Sequence, residues 1–393
     1  MLSVSNRVKN VSSPPIVELV NLAFKLEKEG EDILSFGQGI SGLETPEHVL
    51  NKISEQLKNP ALTKYSPDQG FFELRAELAE KLRRYNRIEY DPEKEITITI
   101  GASSAFLGAT MVVADPGDKI ILPSPYYFDH EFTVKLIGSI PIEFPMNEEN
   151  NYFLDFDKLE KSIDDKTKAI VVVSPNNPTG IVWPERHLRE IADFAIKRDL
   201  YIITDETYDF LVYDDIPHFS IASIPEAWDK TITIGSFSKA FALAGWRVGY
   251  IAAPENIMKE IIKVQDAVVI CAPVISQLAA LFALRGELTF LDYYNKMLKR
   301  NRDYVISRLD EIPNITYVKP KGAFYIFPRY SGNIPSRDLA FKILKEYKLL
   351  VLPGSAFGRY GEYHLRITFG SQTYEELEVG MDRLKDALTN LLK

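Results

Sequence analysis

The sequence predicts an α/β protein: a large domain with a mainly parallel seven-stranded sheet between helices, and a smaller α+β domain built from both termini. Three observations carry this. Short β-branched runs without polar alternation recur through the middle of the chain, as in strands buried on both faces. Stretches with helical spacing lie between several of them, which argues for parallel pairing. The two ends read differently, with long amphipathic helices and only brief strands. The expected division of the 393 residues is a large domain over 47–288 and a small one from 1–46 and 289–393.

The strand candidates are Ile96–Ile100, Lys119–Leu122, Ala169–Val173, Tyr201–Thr204, Thr231–Ile234 and Val248–Ala252, with Ser139–Phe144 as a seventh. Helices are expected over Ala105–Ala114 and Glu185–Arg198, the latter with Leu188, Ile191, Ala192 and Ala195 at helical spacing. Residues 14–30 read as a helix ended by Gly30, and residues 287–310 as a long charged helix. Short strands follow at Thr316–Val318 and Ala323–Phe327, then a helix near 336–347, the run His364–Phe369 and a closing helix from about Thr373. Repeats and low-complexity linkers are absent from the sequence.

Composition narrows the function. The net charge of −9 repels a phosphate backbone, so nucleic acid is not an expected partner. The single cysteine, Cys271, excludes an intrachain disulfide and reads as a buried small hydrophobe in an apolar run. No signal-peptide core is visible near the N-terminus. The uncharged stretch Ala267–Leu284 contains Pro273, Ser276 and Gln277 and reads as a loop and a buried helix start, not a membrane span. A cytoplasmic protein is expected. The five histidines show no metal-ligand spacing with one another or with Cys271, so no metal is expected, and neither a Gly-x-Ser-x-Gly elbow nor a P-loop is present.

Four segments carry chemistry. Ser236-Phe237-Ser238-Lys239 follows the strand Thr231–Ile234. A lysine there is suited to a Schiff base with an aldehyde cofactor, the hydroxyls to an adjacent phosphate, and Arg247 to bidentate phosphate binding. Alone, Ser-x-Ser-Lys reads as a surface lysine in a turn; the other segments change that. Asp205 ends the strand Tyr201–Thr204 and faces the ligand crevice of an open α/β sheet, where a carboxylate pairs with a protonated pyridine nitrogen. Tyr208 is placed to donate to a ring oxygen; the plainer account is an Asp helix cap and a core tyrosine. Ser174-Pro175-Asn176-Asn177-Pro178-Thr179-Gly180 is a loop stiffened by prolines that offers the Asn177 amide, unless it is only a turn. Gly101-Ala102-Ser103-Ser104 opens a helix, where backbone N–H groups form an anion site.

One match is set aside. Gly37-Gln38-Gly39-Ile40-Ser41-Gly42 fits G-x-G-x-x-G, but a dinucleotide fingerprint opens a helix directly. Here Leu43-Glu44 intervene, and the next helix is expected at Thr45-Pro46 with Thr45 as a hydroxyl N-cap.

The ordered set resembles the class I/II aminotransferases, the fold-type I enzymes that use pyridoxal 5'-phosphate and include aspartate and aromatic aminotransferases. The resemblance rests on Tyr65 with Gly70, Gly101-Ala102-Ser103, Ser124-Pro125-Tyr126-Tyr127, Asn177-Pro178-Thr179-Gly180, Asp205 with Tyr208, Ser236-x-Ser238-Lys239, Arg247 and Arg366, and it runs from Pro14 to the last helix. It implies that Lys239 is the Schiff-base lysine and proton carrier, that Asp205 holds the pyridine nitrogen protonated, and that Asn177 and Tyr208 bind the ring oxygen. Ala102, Ser103, Ser236, Ser238 and Arg247 are implied for the phosphate, and Tyr127 for stacking on the ring, with Tyr126 as the competing assignment. Arg366 is implied for the substrate α-carboxylate, Gly39 for backbone contact with substrate, and Tyr65 for the phosphate of a neighbouring subunit, hence a homodimer with shared sites. The implied activity moves an amino group from an L-amino acid (aromatic, aspartate or similar) to a 2-oxo acid, with 2-oxoglutarate expected by family frequency. The alternative is a carbon–sulfur β-lyase using the same site. A ligand-sensing regulator is not expected, because the core begins near residue 14. The N-terminal loop departs from the Gly-Glu-Pro-Asp-Phe-x-Thr-Pro of many relatives, reading Gly39-Ile40-Ser41-Gly42-Leu43-Glu44-Thr45-Pro46, which bears on substrate choice.

Overall fold

A computed structural model describes residues 3–11 and 15–392. Seven strands form one sheet: β1 (Ile96–Thr99), β2 (Lys119–Ser124), β3 (Ile140–Pro145), β4 (Thr167–Val173), β5 (Tyr201–Asp205), β6 (Thr231–Ser236) and β7 (Gly249–Ala252). Their order is β1-β7-β6-β5-β4-β2-β3. β2 to β6 pair in parallel; β7 alone runs antiparallel to its neighbours β6 and β1.

The missing polar alternation has a direct cause. Successive side chains of one strand enter two different apolar cores. Ile120, Val171, Ile203 and Ile232 face Phe106, Ala109 and Met258. Ile121, Ile170, Val172 and Ile202 face Leu188, Ile191 and Ala195. Each such side chain contributes roughly 1.5–3 kcal/mol on burial, so this two-faced packing fixes strand register and leaves only the strand ends free for polar chemistry.

The termini meet. Leu34–Ser35 pairs in parallel with Leu349–Leu350, and Leu365–Thr368 pairs with Tyr325–Ile326 and with Leu352–Pro353. The helix Tyr374–Leu391 starts on a capping box: the Thr373 hydroxyl accepts from the Glu376 N–H at 3.2 Å, and the Glu376 carboxylate accepts from the Thr373 N–H at 2.8 Å.

Several expectations need correction. The helix after β1 begins at Gly101, not Ala105, because Gly101 adopts φ +70 and turns the chain directly into the helix Gly101–Val113. The helix Glu47–Gln56 is preceded by Pro46 as its N-cap; the Thr45 hydroxyl instead donates to the Ala242 carbonyl at 3.1 Å and accepts from the Trp246 indole at 3.2 Å. The strand expected at Thr316–Val318 is Ile315–Thr316. Cys271 is only half-buried, since the chain breaks there between the helices Glu255–Val269 and Val274–Arg285. That break also divides the apolar stretch, and among the described residues no single helix is long and apolar enough to cross a membrane. The helix expected over 14–30 is Pro15–Lys28, preceded by a short helix Asn6–Lys9; residue 14 lies outside the described residues.

Candidate active site

Register brings the polar loops together. Val173 lies opposite Asp205, and Asp205 opposite Ile234. Three parallel neighbours therefore end at one level, and the loops after them open on one crevice. They carry Asn177, then Asp205 and Tyr208, then Ser236 to Lys239. The first turn of the helix Gly101–Val113 approaches from β1. Gly101 adopts φ +70, which favours glycine, and a Cβ there would lie 2.7 Å from an Arg247 guanidinium nitrogen.

A cavity of about 440 Å³ fills the crevice. Its wall includes Ala102, Ser103, Asn177, Asp205, Tyr208, Ser236, Ser238 and Arg247, together with Gly39, Tyr127, Lys239 and Arg366. Tyr127 lines this space and Tyr126 does not. Tyr65 is also absent from it; its side chain is 78% exposed on the surface.

The Lys239 ammonium donates to the Gly39 carbonyl at 2.6 Å. Burial, then the Arg366 and Arg247 charges, lower its pKa to about 8 against the weaker pull of Asp205. Burial pushes the Asp205 carboxyl up, but the hydrogen bond and charge of His130 and the bonds from Thr207 outweigh it and hold the group below the usual carboxylate range. The His130 ring nitrogen Nε2 lies 3.3 Å from Asp205, and the Thr207 N–H donates to Asp205 at 3.0 Å. Burial, with Tyr325 alongside, raises the Tyr208 hydroxyl far above its usual range, keeping it a proton-bearing donor; it lies 2.9 Å from the Tyr325 hydroxyl. Arg366 is fully enclosed. It donates to Asn177 at 3.0 Å and to the Gly37 carbonyl at 2.5 Å, while its Nε has no partner.

Three neighbours escaped sequence reasoning. His130 was considered only as a metal ligand. Its place three residues after Tyr127, in the first turn of the helix Phe128–Leu136, was the available signal. Asp129 lines the cavity beside it. Tyr325 sits in an expected strand, 117 residues from Tyr208, and no local pattern marks it. A Cβ at Gly39 would fall 2.2 Å from the Tyr325 hydroxyl, which accounts for a glycine in the rejected dinucleotide match. Behind the site, Glu206, Asp209 and His218 gather their polar atoms within 4.8 Å. Lys81 already occupies this cluster as its cation, paired with Asp209 and donating to Asn86 at 2.8 Å.

The donor set fits pyridoxal 5'-phosphate. An amine lowered to about 8 suits an aldehyde; a helix N-terminus with serines and Arg247 suits a phosphate dianion; a buried carboxylate suits a protonated ring nitrogen; and the buried Arg366 Nε, without a partner among the described residues, is a donor left over for a polar ligand.

Comparison with known proteins identifies the family and the fold. Residues 31–384 match the family described as aminotransferase class I and II. The chain is 40% identical to an aspartate aminotransferase of Pyrococcus abyssi, over 98% of each chain. It is 39% identical to aromatic-amino-acid aminotransferase 2 of Thermococcus litoralis, again over 98% of each. A solved aspartate aminotransferase double mutant from Thermus thermophilus superposes with a TM-score of 0.92 at 32% identity, covering 99% of this chain and 100% of that one.

Proposed function

The chain belongs to the class I and II aminotransferases, pyridoxal 5'-phosphate-dependent enzymes of fold type I, and on that premise we propose that Lys239 and the residues around it carry amino transfer from an L-amino acid to a 2-oxo acid. The observation that carries the assignment is the half-buried Lys239 amine, its pKa lowered by desolvation and by two arginines, lining one cavity with Asp205 and Arg366.

When bound, the cofactor supplies an electrophilic aldehyde and a ring that accepts the electron pair left at Cα as its proton departs. Lys239 would provide the amine for that aldehyde, and its Nζ would carry the proton taken from Cα. Asp205, kept ionised by His130 and Thr207, would hold a proton on the ring nitrogen. Asn177 and Tyr208 would donate to the ring oxygen. Ala102, Ser103, Ser236, Ser238 and Arg247 would hold the phosphate, and Tyr127 would pack on the ring. Arg366 grips the α-carboxylate with its fork-shaped cation, and the Gly39 backbone lies against the substrate. The relatives' names, aspartate and aromatic-amino-acid aminotransferase, favour amino transfer over carbon–sulfur elimination and suggest aspartate and aromatic amino acids as candidate donors.

The test is spectroscopic. The purified yellow protein, given an amino acid without a 2-oxo acid, is expected to lose its yellow colour, and a 2-oxo acid is expected to restore it. Catalytic release of pyruvate and ammonia would replace this reading with the lyase, and a protein unable to take up the cofactor would remove both.

The same reading makes 47–288 the cofactor-binding domain, supported by the pairing of Leu34–Ser35 with the C-terminal Leu349–Leu350. It makes the enzyme a cytoplasmic homodimer, with Tyr65 reaching the partner's phosphate. In support, Tyr65 is exposed and remote from its own cavity, and the apolar Val268 stands 50% exposed at the break near Cys271. Tyr65→Phe is expected to weaken cofactor binding about tenfold, the worth of one hydrogen bond to a charged group, as read by cofactor titration. A monomer in sedimentation, or unchanged binding, would refute the shared site.

A further inference from the structure

Three lysine and arginine side chains line the cavity, and its His130 is engaged with Asp205. The proposed function commits all three: Lys239 to the aldehyde, Arg247 to the phosphate and Arg366 to the α-carboxylate. None of the chain's own cations remains there for a second carboxylate. The remaining wall is largely apolar, including Ile16 and Val20 from the helix Pro15–Lys28, together with Ile40, Phe128 and Leu352.

One anion interrupts that wall. Asp129 lies half-buried in the first turn of the helix Phe128–Leu136 and lines the cavity. Its carboxylate neighbours the Tyr127 hydroxyl. The one lysine of that helix, Lys135, pairs with Glu131 instead, at 2.5 Å. A substrate carboxylate entering beside Asp129 meets a like charge in a partly dry space and loses its water without gaining a cation from the same chain.

We infer that Asp129 is a specificity-determining residue that turns away a side-chain carboxylate, so that the cavity takes amino acids and 2-oxo acids with apolar or aromatic side chains. The inference rests on the amino-transfer reading and narrows it. Of the donor classes suggested above it favours the aromatic, and it makes 2-oxoglutarate a poorer acceptor than a monocarboxylic 2-oxo acid.

The experiment measures binding of two unreactive acids to the holoenzyme by calorimetry: 3-phenylpropionate and succinate. The native protein is expected to bind 3-phenylpropionate at least about tenfold more tightly, the scale of one like-charge contact in a partly buried site. Asp129→Asn is expected to narrow the ratio about tenfold, chiefly by tighter succinate binding, and Asp129→Ser serves if the first variant folds poorly. Equal or tighter succinate binding by the native protein, failure of 3-phenylpropionate to bind, or a ratio unmoved by both variants overturns the inference. The amino-transfer reading fails on a different readout: no amino acid in the panel is converted, whatever the binding ratio.

Discussion

Lys239→Ala is expected to lower amino transfer by at least about 10⁴-fold, measured as kcat with saturating donor and acceptor. The substitution removes the proton carrier, and general acid–base catalysis alone contributes about 10²–10⁴-fold; it also removes the amine that links the aldehyde. No second lysine lines the cavity to take its place. The variant is also expected to lack the yellow colour of the lysine-linked cofactor. Activity within about tenfold of the native enzyme would take Lys239 out of the chemistry. The environment of this lysine makes a pH prediction as well. Burial and the two arginines bring its pKa to about 8. At pH 7 about one molecule in ten then presents a free amine, against about one in three thousand for an unperturbed lysine. Capture of the cofactor by the cofactor-free protein is expected to quicken about tenfold per pH unit and to level off near pH 8. A rate still climbing toward pH 10 would show that the two arginines and burial do not act on Nζ.

Asp205→Asn is expected to cost about 10²–10³-fold in kcat, the usual loss when one preorganised electrostatic partner is removed. An amide accepts the Thr207 N–H as the carboxylate does, so the loop keeps its shape, but it no longer holds a proton on the ring nitrogen. KM for the amino acid is expected to move little, because Arg366 stays enclosed and keeps its bond to Asn177. A loss confined to KM would assign Asp205 to substrate binding instead. The pH sign follows from the depressed carboxyl: the charge is complete above the ordinary carboxylate range and is lost only as pH falls through the lowered value, so Asp205 leaves neutral pH untouched.

Sequence patterns sufficed for much of this molecule. The strands are visible as apolar, β-branched runs: the central ones alternate between two dry cores, while Ile96–Thr99 and Thr231–Ser236 set threonines between their isoleucines and the edge strand Ile140–Pro145 carries Glu143. The loops that follow the strands announce their chemistry through residue type: Lys239 after serines, Asp205 at a strand end, Asn177 among prolines. Such signals are local, set by sterics and by the spacing of apolar side chains within a few residues. Other features depended on packing. Tyr126 and Tyr127 are adjacent and chemically identical, and only the entry angle of the helix Phe128–Leu136 sends one into the cavity. The same angle sets His130 against Asp205, 75 residues away in the chain, and turns Asp129 toward the substrate space. Tyr325 reaches Tyr208 because Tyr325–Ile326 is held by Leu365–Thr368, the strand that carries Arg366. The sequence by itself determined which elements form and which side chains are chemically equipped; the tertiary structure decided which of them meet, because strand order, register and helix docking are fixed by burial summed over the whole chain, which no short window of sequence contains.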